Sequence, residues 1–174
     1  MSDVPIAPED TAYAVDELTP TIFRIDRHGH ASVLLRDDLL TGELDIPGFL
    51  NDVGMSAAAW MHGNILIVAT ADGSLVRVPV LHSEQAAEVR LSTGLKTVTA
   101  GVRVLPDRSI AATSSGLLSG QAAVVQRVRP GHQWKSATVT ARPRGTTYAL
   151  SGGLAPLLAG RPNDGFTLRR VDVR

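Results

Sequence analysis

Two adjacent carboxylates, Asp16 and Glu17, follow the apolar run Ala12–Val15 and offer general acid–base chemistry at a strand end. A solvated strand-end turn is the commoner setting for such a pair. Asn51-Asp52 follows Pro47-Gly48, where an Asn or Asp side chain ordinarily bonds its own backbone in a turn. His28 and His30 share a face if the chain is extended, which is metal-like spacing, but Arg27-His28-Gly29-His30 reads as a hairpin turn. His62, His82 and His132 each fall in an expected loop with no partner at ligand spacing. Thr146 and Thr147 are hydroxyl donors at the start of an expected strand.

Several chemistries are excluded. The chain has no cysteine, so thiolate zinc sites, disulfides and cysteine nucleophiles are absent. No Gly-x-Ser-x-Gly elbow occurs, and Ser114-Ser115-Gly116 and Ser151-Gly152-Gly153 read as loops. No glycine-rich loop ends in a phosphate-binding Lys. Lys and Arg total 17 against 17 Asp and Glu, and aromatic residues make up 4% of the chain. Clustered positive charge and stacking surfaces for nucleic acid are therefore not expected, and neither is binding to an anionic membrane.

The elements that would carry these residues are short β-like runs punctuated by Gly, Pro, Asp and His. One phrase recurs four times: Thr21–Asp26, Ser74–Pro79, Val124–Arg129 and Thr167–Asp172, each with an Arg among apolar residues. The period is about 45–50 residues, the length of a four-stranded propeller blade. The expected fold is all-β, a partial β-propeller of four blade-like repeats. Ala12–Val15 reads as an inner blade strand, a polar segment covers residues 1–10, and a single domain covers 11–174. Gly29 is placed for a positive φ, and Ala71-Asp72-Gly73 is the strongest hairpin signal. A short helical turn is expected only within Leu34–Leu44. The first residues carry no basic-then-apolar leader, so a soluble cytoplasmic protein is the expectation.

Four stretches resemble the six-bladed propellers of the senescence-marker-protein, gluconolactonase and luciferin-regenerating-enzyme group. They are Tyr13–Asp16 with Pro20–Asp26, Pro47–Val53, Gln133–Val139, and Arg144–Ala149 with the ending Phe166–Val173. In order and spacing they match the carboxy-terminal half of that pattern. The resemblance implies a small-molecule enzyme that hydrolyses a lactone or ester beside a divalent metal in a central channel. Calcium, magnesium, manganese or zinc would suit such a site. Asn51 falls where the family has its blade-opening Asn ligand, and Asp16, Glu17 and Asp52 are the candidate catalytic acids. Thr146 and Thr147 would face the channel. The family's Asp ligand corresponds to Ala100, and its first-blade Glu has no counterpart, so a one-chain metal site is incomplete.

An open arc of blades exposes backbone edges and apolar faces. The expected partner is a second copy closing a ring of six to eight blades, or a separately encoded amino-terminal half. The competing functions are a non-catalytic module binding a ligand or protein, and a metal-free cyclase or isomerase on the same scaffold.

Overall fold

Alternating burial along short apolar runs is satisfied by antiparallel strands, whose side chains point to opposite faces in turn. The computed structural model describes residues 3–42, 54–91, 94–95, 99–105, 109–114, 124–128, 147–152 and 166–171. These residues form four antiparallel sheets. The first orders β1 (Ala12–Asp16), β2 (Thr21–Ile25) and β3 (Ala31–Arg36). The second orders β4 (Met55–Met61), β5 (Ile65–Thr70), β6 (Leu75–Pro79) and β7 (Ala87–Glu88). The third orders β8 (Thr99–Val104), β9 (Ile110–Ser114) and β10 (Val124–Val128). The fourth pairs β11 (Thr147–Gly152) with β12 (Phe166–Val171).

The recurring phrase occupies β2, β6, β10 and β12, one strand per sheet, so the sequence repeat is a repeat of sheets. Two expectations shift in detail. Asp3 and Ile6 bridge antiparallel to Val15 and Ala12, so residues 3–7 lie along the free edge of β1. β1 remains the first strand of the three-stranded order, with this segment bridged to its outer side at two positions. Ser114 belongs to β9, and Ser151 and Gly152 to β11, rather than to loops, because their backbones pair with Val124, Thr167 and Phe166.

The second sheet is buried on both faces. Ala57, Ala59, Met61, Ile67, Ala69 and Leu75 pack with Val102, Ile110 and Ala112 of the third sheet. Met55, Ala58, Leu66, Val68, Val76 and Val78 pack with Tyr13, Val15, Ile22 and Leu40. Met55 and Ala58 share a face despite their odd spacing because the pairing shifts register between Met55 and Ala57, which flips the alternation. Three consecutive alanines in β4 keep the strand thin where neighbouring sheets press on both sides. Each fully buried Leu, Ile or Val contributes about 1.5–3 kcal/mol relative to exposure.

The turns follow from local chemistry. The segments Ala7–Thr11, Asp26–His30 and Thr70–Ser74 close identically. In each, the first N–H donates to the fifth carbonyl, and the fourth N–H donates back to the first. Their fourth residues, Asp10, Gly29 and Gly73, all have positive φ. This is the three-residue hairpin loop built on a type I turn, so Asp72-Gly73 forms a longer turn than an isolated two-residue Asp-Gly loop. The helical turn expected within 34–44 is a 3₁₀ turn, Asp38–Leu40, capped by Asp37, whose carboxylate accepts from the Leu39 N–H at 2.9 Å. A second 3₁₀ turn, Ser83–Gln85, was not legible in the sequence. No helix among the described residues is long and apolar enough to cross a membrane.

Candidate functional site

Connections from the first three sheets converge at one rim, where β1 ends and β4 begins. The Gly54 N–H donates to the Glu17 carbonyl at 2.8 Å, and the Gly54 carbonyl accepts from the Ala71 N–H at 2.8 Å. A side chain at Gly54 would place its Cβ 2.9 Å from the Leu40 carbonyl oxygen, so only glycine permits this approach. The β5–β6 hairpin lies against Leu95, the residue leading toward β8. Loops held this tightly by rigid sheets are the usual carriers of function.

Asp16 ends β1 and is half-buried. Its Oδ2 accepts from Thr19 Oγ1 at 2.8 Å and its Oδ1 from the Leu18 N–H at 3.2 Å. The Thr19 hydrogen bond foremost, then that from Leu18, holds the Asp16 carboxyl below the ordinary aspartate value. Asp16 therefore stays ionised and braces the β1–β2 turn. Glu17 beside it is half-buried, and its carboxylate has no hydrogen-bond partner among the described residues. Asn51, Asp52 and Thr146 lie outside the described residues. Thr147 opens β11, paired with Val171.

The rim holds a carboxylate that motif reading overlooked. Asp72 Oδ1 accepts from Thr70 Oγ1 at 2.5 Å and from the Ser74 N–H at 3.0 Å, closing the hairpin. The spacing Thr70-x-Asp72-x-Ser74 was its signal. Asp3 was missed as well. Its Oδ2 accepts from the Ala58 N–H at 3.1 Å, tying the first sheet to β4. Between the same sheets, Tyr13 and Trp60 stack with centroids 5.6 Å apart and planes 10° from parallel. Burial pushes the Tyr13 phenol up, with the nearby Arg24 charge opposing it.

No three His, Cys, Asp or Glu side chains gather as a metal-holding group among the described residues. β8 carries Ala100, which has no ligand atom, at the position where the resemblance calls for an Asp. The described donors therefore do not fit a divalent ion by themselves. His28 and His30 lie in the exposed β2–β3 hairpin as turn residues. Asp26 Oδ1 accepts both of their N–H groups at 2.8 and 3.0 Å, and Asp26 Oδ2 faces His30 Nδ1 at 3.2 Å. His82 Nδ1 lies 3.6 Å from Glu84 Oε1, both well exposed.

No family model and no curated protein matches the chain. Among solved structures, a mitotic checkpoint complex chain aligns at 12% identity and a TM-score of 0.47, covering 78% of this chain and 38% of its own. A catalytically inactive virginiamycin B lyase from Staphylococcus aureus, with quinupristin, aligns at 12% identity and a TM-score of 0.47, covering 83% and 44%. The chain spans less than half the length of either. On its own strand order, register and buried sheet faces, the chain is an all-β protein built as a partial propeller of blade-like sheets.

Proposed function

We propose that the chain is a propeller-type small-molecule enzyme that hydrolyses a lactone or ester at the rim where Glu17 meets the start of β4. The observation that supports this is the hydrogen bond from the Gly54 N–H to the Glu17 carbonyl at 2.8 Å. It brings the candidate acids Asp16 and Glu17 to the residue two places after Asp52 in sequence. Glu17, whose carboxylate has no hydrogen-bond partner among the described residues, is the general base. It takes a proton from water as the water oxygen bonds to the substrate carbonyl carbon. The carbon–oxygen bond to the leaving alkoxide then breaks, and the proton passes to that alkoxide. Asp16 keeps its charge and holds the turn that positions Glu17. In this reading Asn51 would offer an amide donor and Asp52 a carboxylate acceptor, and Thr146 and Thr147 would offer hydroxyls to the substrate. No step is routed through a divalent ion, because Ala100 leaves the ligand set short.

The test is turnover of a panel of aliphatic lactones and aryl esters by the purified chain, with and without added divalent ions and with a chelator. Hydrolysis that falls by about 10²-fold in Glu17→Gln, with folding unchanged, is expected. Absence of turnover under every condition would overturn the catalytic reading. A second reading, a non-catalytic ligand-binding module, is favoured by the engagement of Asp16 and Asp72 in turn hydrogen bonds. Its signature is saturable lactone binding by calorimetry with no product.

A further inference from the structure

The first sheet is apolar on both faces, and among the described residues the second face is covered only in part: Ala14 is buried, Ala12, Phe23 and Ile25 are half-buried, and its outer positions are exposed. Tyr13, Val15 and Ile22 belong to the core shared with the second sheet. Alternation therefore places Ala12, Ala14, Phe23 and Ile25 on the opposite face, joined by Ile6 opposite Ala12 and Val33 opposite Phe23. Ile6 is 64% exposed and Val33 54%.

The internal repeat says what such a face meets. Aligning Thr21–Asp26 with Ser74–Pro79 matches Phe23 with Val76 and Ile25 with Val78. Val76 and Val78 are buried against the first sheet. Following the pairing inward, Ile25 faces Ala12 and then Ile6, while Val78 faces Leu66 and then Trp60. Ile6 is thus the counterpart of Trp60, the residue on which Tyr13 stacks. The partly covered face is built like one that, a sheet later, is capped by a neighbouring blade.

The fourth sheet repeats the capping side. Thr146-Thr147-Tyr148-Ala149-Leu150 parallels Thr11-Ala12-Tyr13-Ala14-Val15. In the first sheet Tyr13 pairs with Arg24 and Val15 with Ile22. In the fourth, Tyr148 pairs with Arg170 and Leu150 with Leu168.

We propose that the partly covered face of the first sheet docks the β11–β12 sheet of a second copy of this chain, with the partner's Tyr148 at the register position that Tyr13 holds in its own sheet. Continuity with the existing blade-to-blade interface selects this occupant, and a twofold axis makes the contact twice and closes the ring. The proposal rests on the functional reading above, in that it completes the channel beside the rim.

Because the chain has no cysteine, the contact can be read by disulfide trapping. An Ile6→Cys copy and a Tyr148→Cys copy, mixed and oxidised, are expected to form a covalent dimer. Sedimentation is expected to give the mass of two chains for the unmodified protein. Ile6→Glu, at an exposed position, is expected to give one chain's mass with an unchanged circular dichroism spectrum. A monomeric unmodified protein would overturn the proposal. So would an Ile6–Ile6 disulfide from the single variant, or an intramolecular disulfide in the Ile6→Cys/Tyr148→Cys double variant. A trapped dimer without lactone turnover keeps the interface and removes the catalytic reading. Turnover by a monomer does the reverse.

Discussion

Two glycines in identical turns allow a backbone effect and a packing effect to be separated. Gly29 and Gly73 each occupy the fourth position of the same hairpin loop, with φ of +85° and +96°. At Gly29 an added Cβ meets no atom of the described residues within 4 Å. At Gly73 it would lie 2.6 Å from the Leu95 carbonyl oxygen and 3.1 Å from the Leu95 carbonyl carbon, both backbone atoms. The left-handed conformation costs a side chain about 1–2 kcal/mol at either site. Forcing the Leu95 backbone away adds a strain of about 1–3 kcal/mol at position 73 only. Gly29→Ala is therefore expected to destabilise by about 1–2 kcal/mol and Gly73→Ala by about 2–5 kcal/mol. Urea unfolding followed by Trp fluorescence measures both, provided the slope of each transition is unchanged. Losses equal to within about 0.5 kcal/mol would refute the reasoning, since that is the scatter expected of independent sites. Such a result would mean that the segment leading into β8 yields freely, and that the rim is not held by this contact.

Further outcomes follow from the same geometry. Asp3→Ala leaves the Ala58 N–H without its carboxylate and is expected to cost about 1–3 kcal/mol by denaturant unfolding; a neutral result would mean water replaces it. A Tyr13→Leu/Trp60→Leu double-mutant cycle is expected to return a coupling of about 0.5–1.5 kcal/mol, and zero coupling would reduce the stack to simple burial. Ala58→Leu overfills the core between the first two sheets and is expected to lower stability by about 1–3 kcal/mol, read from the thermal midpoint. Asp16 and Asp26 are both held below the ordinary aspartate value of 3.8 when folded, Asp16 chiefly by Thr19 and Asp26 chiefly by the His30 N–H. Their stabilisation is in place well above pH 3.8 and is lost as pH falls through the lowered folded-state values. Asp16→Asn and Asp26→Asn should each flatten the acid limb of a stability–pH curve and leave its neutral region nearly parallel to wild type; an unchanged acid limb would sink the assignment.

Local chemistry alone was enough for the β-class, the four-fold phrase and the turn glycines. Period-two apolar runs can bury their faces only in sheets, and Gly29 and Gly73 mark positive φ because glycine adopts it at no steric cost, with Asn and Asp (here Asp10 and Asn64) the usual exceptions. Asp16 as a turn brace was also readable, since its partners Leu18 and Thr19 lie two and three residues away. The pairing of residues 3–7 with β1 was hidden by Pro5 and by the shortness of the apolar run Val4–Ala7. Main-chain bonds do not depend on side-chain type, and they override that signal.

Asn51, Asp52 and Thr146, which carry most of the expected ligand and substrate contacts, lie outside the described residues. What sequence determined by itself was a set of blades and a short list of oxygen-bearing side chains. Only the tertiary structure decided that Glu17, Gly54 and Ala71 meet at one rim, that Asp3 reaches Ala58, and that Ile6 stands uncovered where Trp60 is stacked. The physical reason is that contacts within a strand pair obey a local period. Packing of one sheet on the next depends on register, on a bulge beside Ser56 and on side-chain volume, none of which any single stretch of sequence carries.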